Sequence, residues 1–234
     1  MSRQAVILAG GLGSRLKPFT EVIPKPLLPI GEKAILEIQV EHLKKYGFDQ
    51  VFLATNYMAD YLENFLGDGS RYGVRIEVSR ETKPLGTAGP LKLIEPKIDD
   101  TFLVMNGDIL SLMNFSKFFD FAREKGSVLT VAVKKIVTPY AFGNIHFEGD
   151  FVTRIEEKPN IVTYALAGMY VMQPEIFSLI PEGEYFGMDK LIQTLLDRGM
   201  SIAKYEMDEY WLDIGRIDDY QQAKDAYERH FKGE

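Results

Sequence analysis

The chain has 234 residues, 46% hydrophobic and 26% charged, which suits one large globular domain or a domain with an appended subdomain. A formal net charge of −7 argues against a nucleic-acid partner, which needs a basic face, and leaves small polyanions open where cations cluster. Cysteine is absent, which excludes disulfides and thiolate metal sites, and no apolar run approaches the roughly 20 residues that span a bilayer. The first residues show no signal-peptide pattern, so a cytoplasmic location is the simplest expectation.

Residues 5 to 9, Ala-Val-Ile-Leu-Ala, form a continuous apolar run, the pattern of a strand buried on both faces. Gly10, Gly11 and Gly13 follow, a turn poor in Cβ atoms where backbone N–H groups can approach an anion. Arg15 and Lys17 stand beside it. No Gly-Lys-Ser/Thr ending is present, which excludes a P-loop, and Leu16 takes the place of the third glycine of a dinucleotide fingerprint. From the glycines alone, an anion cradle and a plain tight turn are equally open.

Pro18, Pro24, Pro26 and Pro29 exclude a regular helix or central strand over residues 18–30 and stiffen the loop around Lys25. Helical spacing runs from Glu32 to Tyr46 and stops at Gly47. A strand is expected over Gln50 to Thr55, a short helix over Asp60 to Leu66, and another strand over Val74 to Ser79. Strands alternating with helical segments predict βαβ units and a parallel sheet. Residues Glu81 to Gly89 make a second glycine loop, with Pro84, Gly86 and Thr87, ahead of a helical run. Ligands of open α/β sheets lie beyond the carboxyl ends of the strands, so the two loops are placed to bracket one nucleotide.

Thr101 to Asn106 is a strongly apolar strand that leads into Asn106-Gly107-Asp108. At that strand end Asp108 is either a turn or cap aspartate or a ligand for Mg²⁺, which takes one or two protein carboxylates plus phosphate oxygens and water. Residues 115 to 125 read as a helix and Ser127 to Lys134 as a strand. Asn144 to Phe147, the turn 148–150 and Phe151 to Ile155 predict a β-hairpin. Glu157-Lys158-Pro159 follows, then a strand over Ala165 to Met172, interrupted by Gly168. This second half reads as a β-rich insertion facing the first. Helical segments near 174–180 and 187–198, a strand at 201–206 and a helix from about Ile217 complete the chain. Asp213 lies among apolar residues in Trp211-Leu-Asp-Ile-Gly215, an unusual place for an unpartnered carboxylate. It is a satisfied core carboxylate, a cap, or the second half of a Mg²⁺ site with Asp108.

These segments occur in a telling order: Gly10 to Pro18, Pro24-Lys25-Pro26, Pro84-Leu-Gly-Thr-Ala-Gly89, Asn106-Gly-Asp108, Glu157-Lys158-Pro159, Ala167-Gly-Met-Tyr170 and Trp211 to Gly215. Together they resemble the sugar-1-phosphate nucleotidylyltransferases over essentially the whole chain. The resemblance implies an α/β, Rossmann-like nucleotidyltransferase fold, with a mostly parallel central sheet flanked by helices and a β-rich sugar-binding portion. It implies one domain over 1–234, with a nucleotide-binding half at about 1–134 and a sugar-binding half at about 135–234. The C-terminal β-helix that some relatives carry is not expected. The implied reaction converts a nucleoside triphosphate and a sugar 1-phosphate into a nucleoside diphosphate sugar and pyrophosphate.

In family terms, Leu8, Gly10, Gly11, Gly13, Ser14, Arg15, Glu81, Pro84, Gly86 and Thr87 bind the nucleotide, with the Gly10–Gly13 loop and Arg15 at the triphosphate, and Lys25 contacts phosphate at the reacting centre. Gly86 and its loop help seat the base, and Asp108 and Asp213 coordinate Mg²⁺. Gly143, Asn144, Glu157, Lys158 and Gly168 serve the sugar phosphate. Arg15, Lys25, Asp108 and Asp213 are the implied catalytic set. The phosphate nucleophile is already deprotonated at neutral pH, so positioning and electrostatics suffice, and His42, His146 and His230 are assigned no role. Phe142 stands where many relatives have tyrosine and Asn144 where an aliphatic residue is common, which implies a modified sugar pocket.

The Pro84–Leu91 loop most resembles that of guanylyltransferases making GDP-mannose and GDP-heptose. Guanine N1–H and N2–H₂ need an acceptor, for which Glu81 is the candidate. The expected partners are therefore GTP and a mannose- or heptose-type sugar 1-phosphate, with neither nucleic acid nor membrane, and a homo-oligomer is left open. The alternatives are a uridylyl-, thymidylyl- or cytidylyltransferase, or a non-catalytic nucleotide-sugar-binding regulatory subunit.

Overall fold

The computed structural model describes residues 3–232. In chain order it contains β1 (Arg3–Leu8), β2 (Pro29–Ile30), β3 (Lys33–Ala34), α1 (Ile35–Lys45), β4 (Phe48–Thr55), α2 (Ala59–Leu66) and β5 (Arg75–Arg80). Then come β6 (Phe102–Asn106), β7 (Ile109–Ser111), α3 (Phe115–Lys125), β8 (Leu129–Pro139), β9 (Asn144–Glu148), β10 (Phe151–Glu156) and β11 (Asn160–Met172). The chain ends with α4 (Met188–Asp197), β12 (Ile202–Met207), β13 (Trp211–Asp213) and α5 (Ile217–Ala226). Among the described residues, no helix is long and apolar enough to cross a membrane.

Seven strands form the central sheet in the order β12-β8-β11-β6-β1-β4-β5. Only β11 runs antiparallel to its two neighbours, β6 and β8; the other pairings are parallel. The apolar run Ala5–Ile7 sits at the middle of this sheet, fully buried, between β4 and β6. That position explains its lack of alternation, since both faces of a central parallel strand meet packed helices. On one face α1, α2 and α3 cover Ile7, Leu53, Leu103 and Met105. On the other, α4 and the segments around Leu91 and Phe177 cover Val6, Phe52 and Val104.

The helix ends follow local chemistry. The Glu37 carboxylate accepts the Ala34 N–H at 2.9 Å at the start of α1, and Asn114 Oδ1 accepts the Lys117 N–H at 3.0 Å at the start of α3. Gly126 ends α3 in the left-handed conformation.

Five sequence expectations change. Residues Gly89–Leu93 and Pro174–Leu179, expected as helical, are 3₁₀ turns; each has a proline at one of its first two positions and closes bonds of the i to i+3 kind, Leu91 N–H to the Ala88 carbonyl and Ile176 N–H to the Gln173 carbonyl. The strands expected at 127–134 and 165–172 extend to Pro139 and back to Asn160, because their exposed outer parts pair with one another. The second half is not an insertion, since β11 and β12 belong to the central sheet. Apolar patterning records which faces are buried, not which sheet a strand joins. The β9–β10 hairpin forms a separate two-stranded sheet as expected, and β7–β13 and β2–β3 form two more.

Candidate active site

The carboxyl ends of β1, β4, β5 and β6 open into one cleft of about 500 Å³. Its walls are Leu8, Gly10, Gly11, Leu12, Gly13, Ser14, Ala54, Asn56, Glu81, Pro84, Gly86, Thr87, Pro90, Asn106, Asp108 and Tyr185. Every residue expected from the sequence to bind the nucleotide is therefore in this wall, except Arg15. Leu12, Ala54, Asn56, Pro90, Asn106 and Tyr185 are additions. Asn56 had a signal, because it directly follows the strand expected at 50–55 and so lies beyond a carboxyl end. Tyr185 had none, because it comes from a distant loop.

Each wall is fixed by backbone geometry. Gly13 has φ +60°, and a Cβ there would stand 2.8 Å from Thr20 Cγ2 and 3.2 Å from Lys25 Cβ. Thr20 Oγ1 donates to the Gly13 carbonyl at 2.8 Å, so the proline-stiffened loop braces the glycine turn. Gly107 N–H bonds to the Leu8 carbonyl at 2.9 Å, which holds the turn bearing Asp108 against β1. Gln39, buried in α1, donates to both the Asn106 and Ile109 carbonyls at 3.0 and 2.8 Å. That side chain clamps the two ends of the Asp108 turn.

Gln39→Leu leaves both carbonyls in apolar surroundings without this donor, at roughly 1–3 kcal/mol for each orphaned group. The expected result is a fall in Tm of several degrees with a parallel loss of turnover. A melting curve coincident with that of the native chain would refute it.

Lys25 and Asp108 form a direct ion pair at the cleft floor, with Lys25 only 8% exposed. Asp213 arrives from the far end of the chain. The antiparallel β7–β13 ladder pairs Asp213 with Ile109, and the Ile214 N–H bonds the Asp108 carbonyl at 3.0 Å. The Asp213 residue is exposed, yet partial loss of water around its carboxyl pushes it up, and the neighbouring Asp108 adds to the rise. Lys25 and Arg15 oppose that shift, which places both cations within electrostatic reach of the carboxylate.

Arg15 lies beside Gly215, whose Cβ position is 3.4 Å from the guanidinium nitrogens. It therefore faces Asp213 rather than the nucleotide wall. Leu16 and Ile214, the next residue after each of these charged groups, are both fully buried in one small core with Leu110 and Tyr227. The α5 helix covers this core, and its Asp219 accepts the Gly215 and Arg216 N–H groups at 3.1 and 2.8 Å. Lys17, by contrast, is drawn into an exposed pair with Glu21 at 3.1 Å.

Glu81, at the end of β5, spans the cleft. Its Oε2 accepts the Leu85 N–H at 2.8 Å, and its Oε1 lies 2.8 Å from where a Gly10 Cβ would be. Burial pushes this carboxyl up, and the Leu85 hydrogen bond partly opposes the rise. Thr87 Oγ1 accepts the Met188 N–H at 2.7 Å, so its hydroxyl also holds the start of α4.

The residues expected at the sugar are less closely gathered. Gly143 and Glu157 are adjacent, since a Gly143 Cβ would be 3.5 Å from Glu157 Oε2. Asn144 pairs with Glu156 across β9–β10. Lys158 is exposed, makes no ion pair among the described residues, and holds φ +46° immediately before Pro159. A left-handed non-glycine residue costs about 1–2 kcal/mol, strain that concentrates at functional positions. Gly168 sits apart, in a bulge where β11 shifts register against β8. Its φ is +68°, and a Cβ would stand 2.7 Å from Asn106 Nδ2, on the cleft wall. Gly143, Asn144, Glu157, Lys158 and Gly168 do not line the 500 Å³ cleft.

Among the described residues, no three His, Asp or Glu side chains are grouped to hold a metal ion. The Asp108–Asp213 pair offers hard oxygen donors of the kind a divalent cation takes, held near one another by the β7–β13 ladder. The pair fits a site in which substrate oxygens and water supply the remaining ligands.

A family model described as nucleotidyl transferase matches residues 4–230. The chain is 35% identical over 241 residues to a UTP–glucose-1-phosphate uridylyltransferase of Synechocystis sp., covering 94% of this chain and 62% of that protein. It is 35% identical over 225 residues to the mannose-1-phosphate guanylyltransferase catalytic subunit beta of Danio rerio, covering 93% and 62%. The chain thus spans about 62% of the length of these curated relatives. Among solved structures, HddC from Yersinia pseudotuberculosis superposes with a TM-score of 0.76 at 28% identity, over 96% of this chain and 99% of that one. HddC has also been solved complexed with GMP-PN, with a TM-score of 0.75. The α/β fold, the glycine turn at the end of β1 and the match over 4–230 agree, and the chain belongs to the nucleotidyl transferase family, that of the sugar-1-phosphate nucleotidylyltransferases its motifs resemble.

Proposed function

We propose that this protein transfers a nucleotidyl group from GTP to a sugar 1-phosphate of the mannose or heptose type, releasing pyrophosphate. The observation that carries this reading is the gathering of Lys25 and Asp213 about Asp108, which lines a cleft of nucleotide size. In it, N–H groups of the Gly10–Gly13 turn donate to triphosphate oxygens, and Lys25 and Arg15 offset their charge. An oxygen of the sugar phosphate attacks the α-phosphorus in line, the bond to the β-phosphate oxygen breaks, and pyrophosphate leaves with the bonding pair. No proton need be removed from the nucleophile, in keeping with a cleft that no histidine lines among the described residues. Asp108 and Asp213 are the residues that would hold Mg²⁺, which when bound would neutralise phosphate charge as the transferring group develops it.

Glu157 and Lys158 are proposed to receive the sugar and its phosphate, with Gly143 and Asn144 beside them and Gly168 shaping the pocket near Asn106. The strained backbone and unpaired ammonium of Lys158 support that role. For the base, Glu81 Oε1 supplies the acceptor that guanine N1–H and N2–H₂ call for. The relative from Danio rerio is named a guanylyltransferase, while the Synechocystis relative, equally identical, is named a uridylyltransferase. Retention of Arg15, Lys25, Asp108, Lys158 and Asp213 together favours a catalyst over a non-catalytic nucleotide-sugar-binding subunit.

A pyrophosphate-release matrix of four triphosphates against several sugar 1-phosphates tests the proposal. GTP with mannose 1-phosphate or a heptose 1-phosphate is expected to give the fastest release. Faster release with UTP, CTP or dTTP rejects the GTP assignment, and silence with every pair favours the binding subunit.

A further inference from the structure

Among the described residues, Tyr185 is the one aromatic side chain on the cleft wall, and 73% of its surface is exposed. Its main chain is held firmly. The Phe186 N–H bonds the Leu85 carbonyl at 2.8 Å, and the Phe186 carbonyl accepts both the Ala88 and Gly89 N–H groups at 2.9 Å. On the other side, the Glu184 carbonyl oxygen lies 3.0 Å from the Cβ position of Gly89. The peptide after Tyr185 is thus hydrogen-bonded to the Pro84–Gly89 loop, and the peptide before it packs against Gly89. The ring is treated differently. Among the described residues it makes no ring, cation or hydrogen-bond contact, whereas the equally exposed Phe142 packs edge-on against Tyr140 at 5.9 Å.

A large aromatic ring fixed at its backbone and left uncovered in a cleft is suited to be covered by a flat ligand face. Nucleobases stack on such side chains, and every base offers a π-face. The ring belongs to the same wall as Glu81, Pro84, Gly86 and Thr87, and the cations Lys25 and Arg15 lie elsewhere, with Asp108 and Asp213. A phosphate or sugar phosphate therefore has its counter-charges away from Tyr185, and the base is the part of the substrate that matches the ring.

We propose that Tyr185 is the stacking platform for the nucleobase, and that it favours a purine over a pyrimidine because two fused rings overlap it more fully. This rests on the nucleotidyl transfer reading of the cleft. Calorimetric Kd values for GTP, UTP and inorganic tripolyphosphate, each with Mg²⁺, test it in the native chain, Tyr185→Ala and Tyr185→Phe.

Tyr185→Ala is expected to weaken GTP by roughly 5- to 100-fold, the range of one base–aromatic stack, and to weaken UTP less. Tripolyphosphate binding stays within twofold, and Tyr185→Phe, which keeps the ring, stays near the native value. An unchanged GTP Kd in Tyr185→Ala overturns the proposal. So does an equal loss in Tyr185→Phe, which would assign the effect to the hydroxyl, or a parallel loss for tripolyphosphate, which would mean that the loop has collapsed. If the native chain binds GTP yet releases no pyrophosphate in the substrate matrix, the transfer reading fails while these Kd values still judge the stacking. A native chain that binds no nucleotide overturns both.

Discussion

Asp108→Ala is expected to lower pyrophosphate release by about 10³-fold or more in kcat while leaving a folded chain. One preorganised electrostatic contact at a reacting centre is typically worth about 10²–10³ in rate, and Asp108 is also one of the two carboxylates proposed to hold Mg²⁺. The substitution has a second consequence. Lys25 is buried to 8% exposure and Asp108 is its partner, so alanine leaves a cation in a poorly hydrated place. A fully buried broken pair costs about 3–5 kcal/mol; the Asp108 side chain is 25% exposed, so water reaches the gap and about 1–2 kcal/mol is the better figure. For a chain of this size that corresponds to a Tm lower by roughly 2–8 °C. Asp108→Asn separates the two effects, because the amide oxygen still accepts from Lys25. It should recover most of the stability and little of the turnover. An asparagine variant with more than a tenth of native kcat would remove Asp108 from the reacting centre.

Gly86→Ala is expected to raise the KM for the triphosphate by tenfold or more, with a smaller change in kcat, and to destabilise the fold. Gly86 has φ +84°, and its Cβ would lie 2.7 Å from the Phe186 carbonyl oxygen and 2.9 Å from its carbonyl carbon. Those atoms cannot retreat cheaply, since the same carbonyl holds the Ala88 and Gly89 N–H groups. The left-handed backbone adds about 1–2 kcal/mol of strain for any residue with a Cβ. Relief requires the Pro84–Gly89 loop to separate from residues 184–186, which deforms the wall proposed for the base.

Gly149→Ala is the control. It carries the same kind of backbone, φ +58°, at the tip of the β9–β10 hairpin, with nothing within 4 Å of its Cβ position. It should cost the backbone term alone and leave KM unchanged. Equal KM values for Gly86→Ala and the native chain would mean that this loop does not seat the nucleotide.

The positions of most strands and helices were legible because burial leaves its period in the sequence. The unbroken run at 5–9 marked a strand covered on both faces, and the Gly149 turn marked the hairpin. Pattern did not reveal strand direction: β11 is as apolar over Ala167–Met172 as its parallel neighbours, yet runs against them. Nor did it separate α from 3₁₀ geometry at Gly89–Leu93 or Pro174–Leu179, where a few turn-length residues carry the same apolar spacing in either form.

By itself, the sequence determined the family, the glycine turn with its cations, and nine of the ten residues expected to bind the nucleotide that now line one cleft. These are local features, carried by residue types at short spacing. The tertiary structure decided what those features face. Asp213 meets Asp108 only because β13 pairs with β7, and Arg15 turns toward Asp213 because Leu16 and Ile214 share one small core beneath α5. Gln39 and Tyr185 entered the site by the same route, one from the buried face of α1 and the other from a loop stitched to Pro84–Gly89. A single sequence records the composition of each segment, whereas contacts between distant segments depend on sheet register and helix packing, which have no short-range signature.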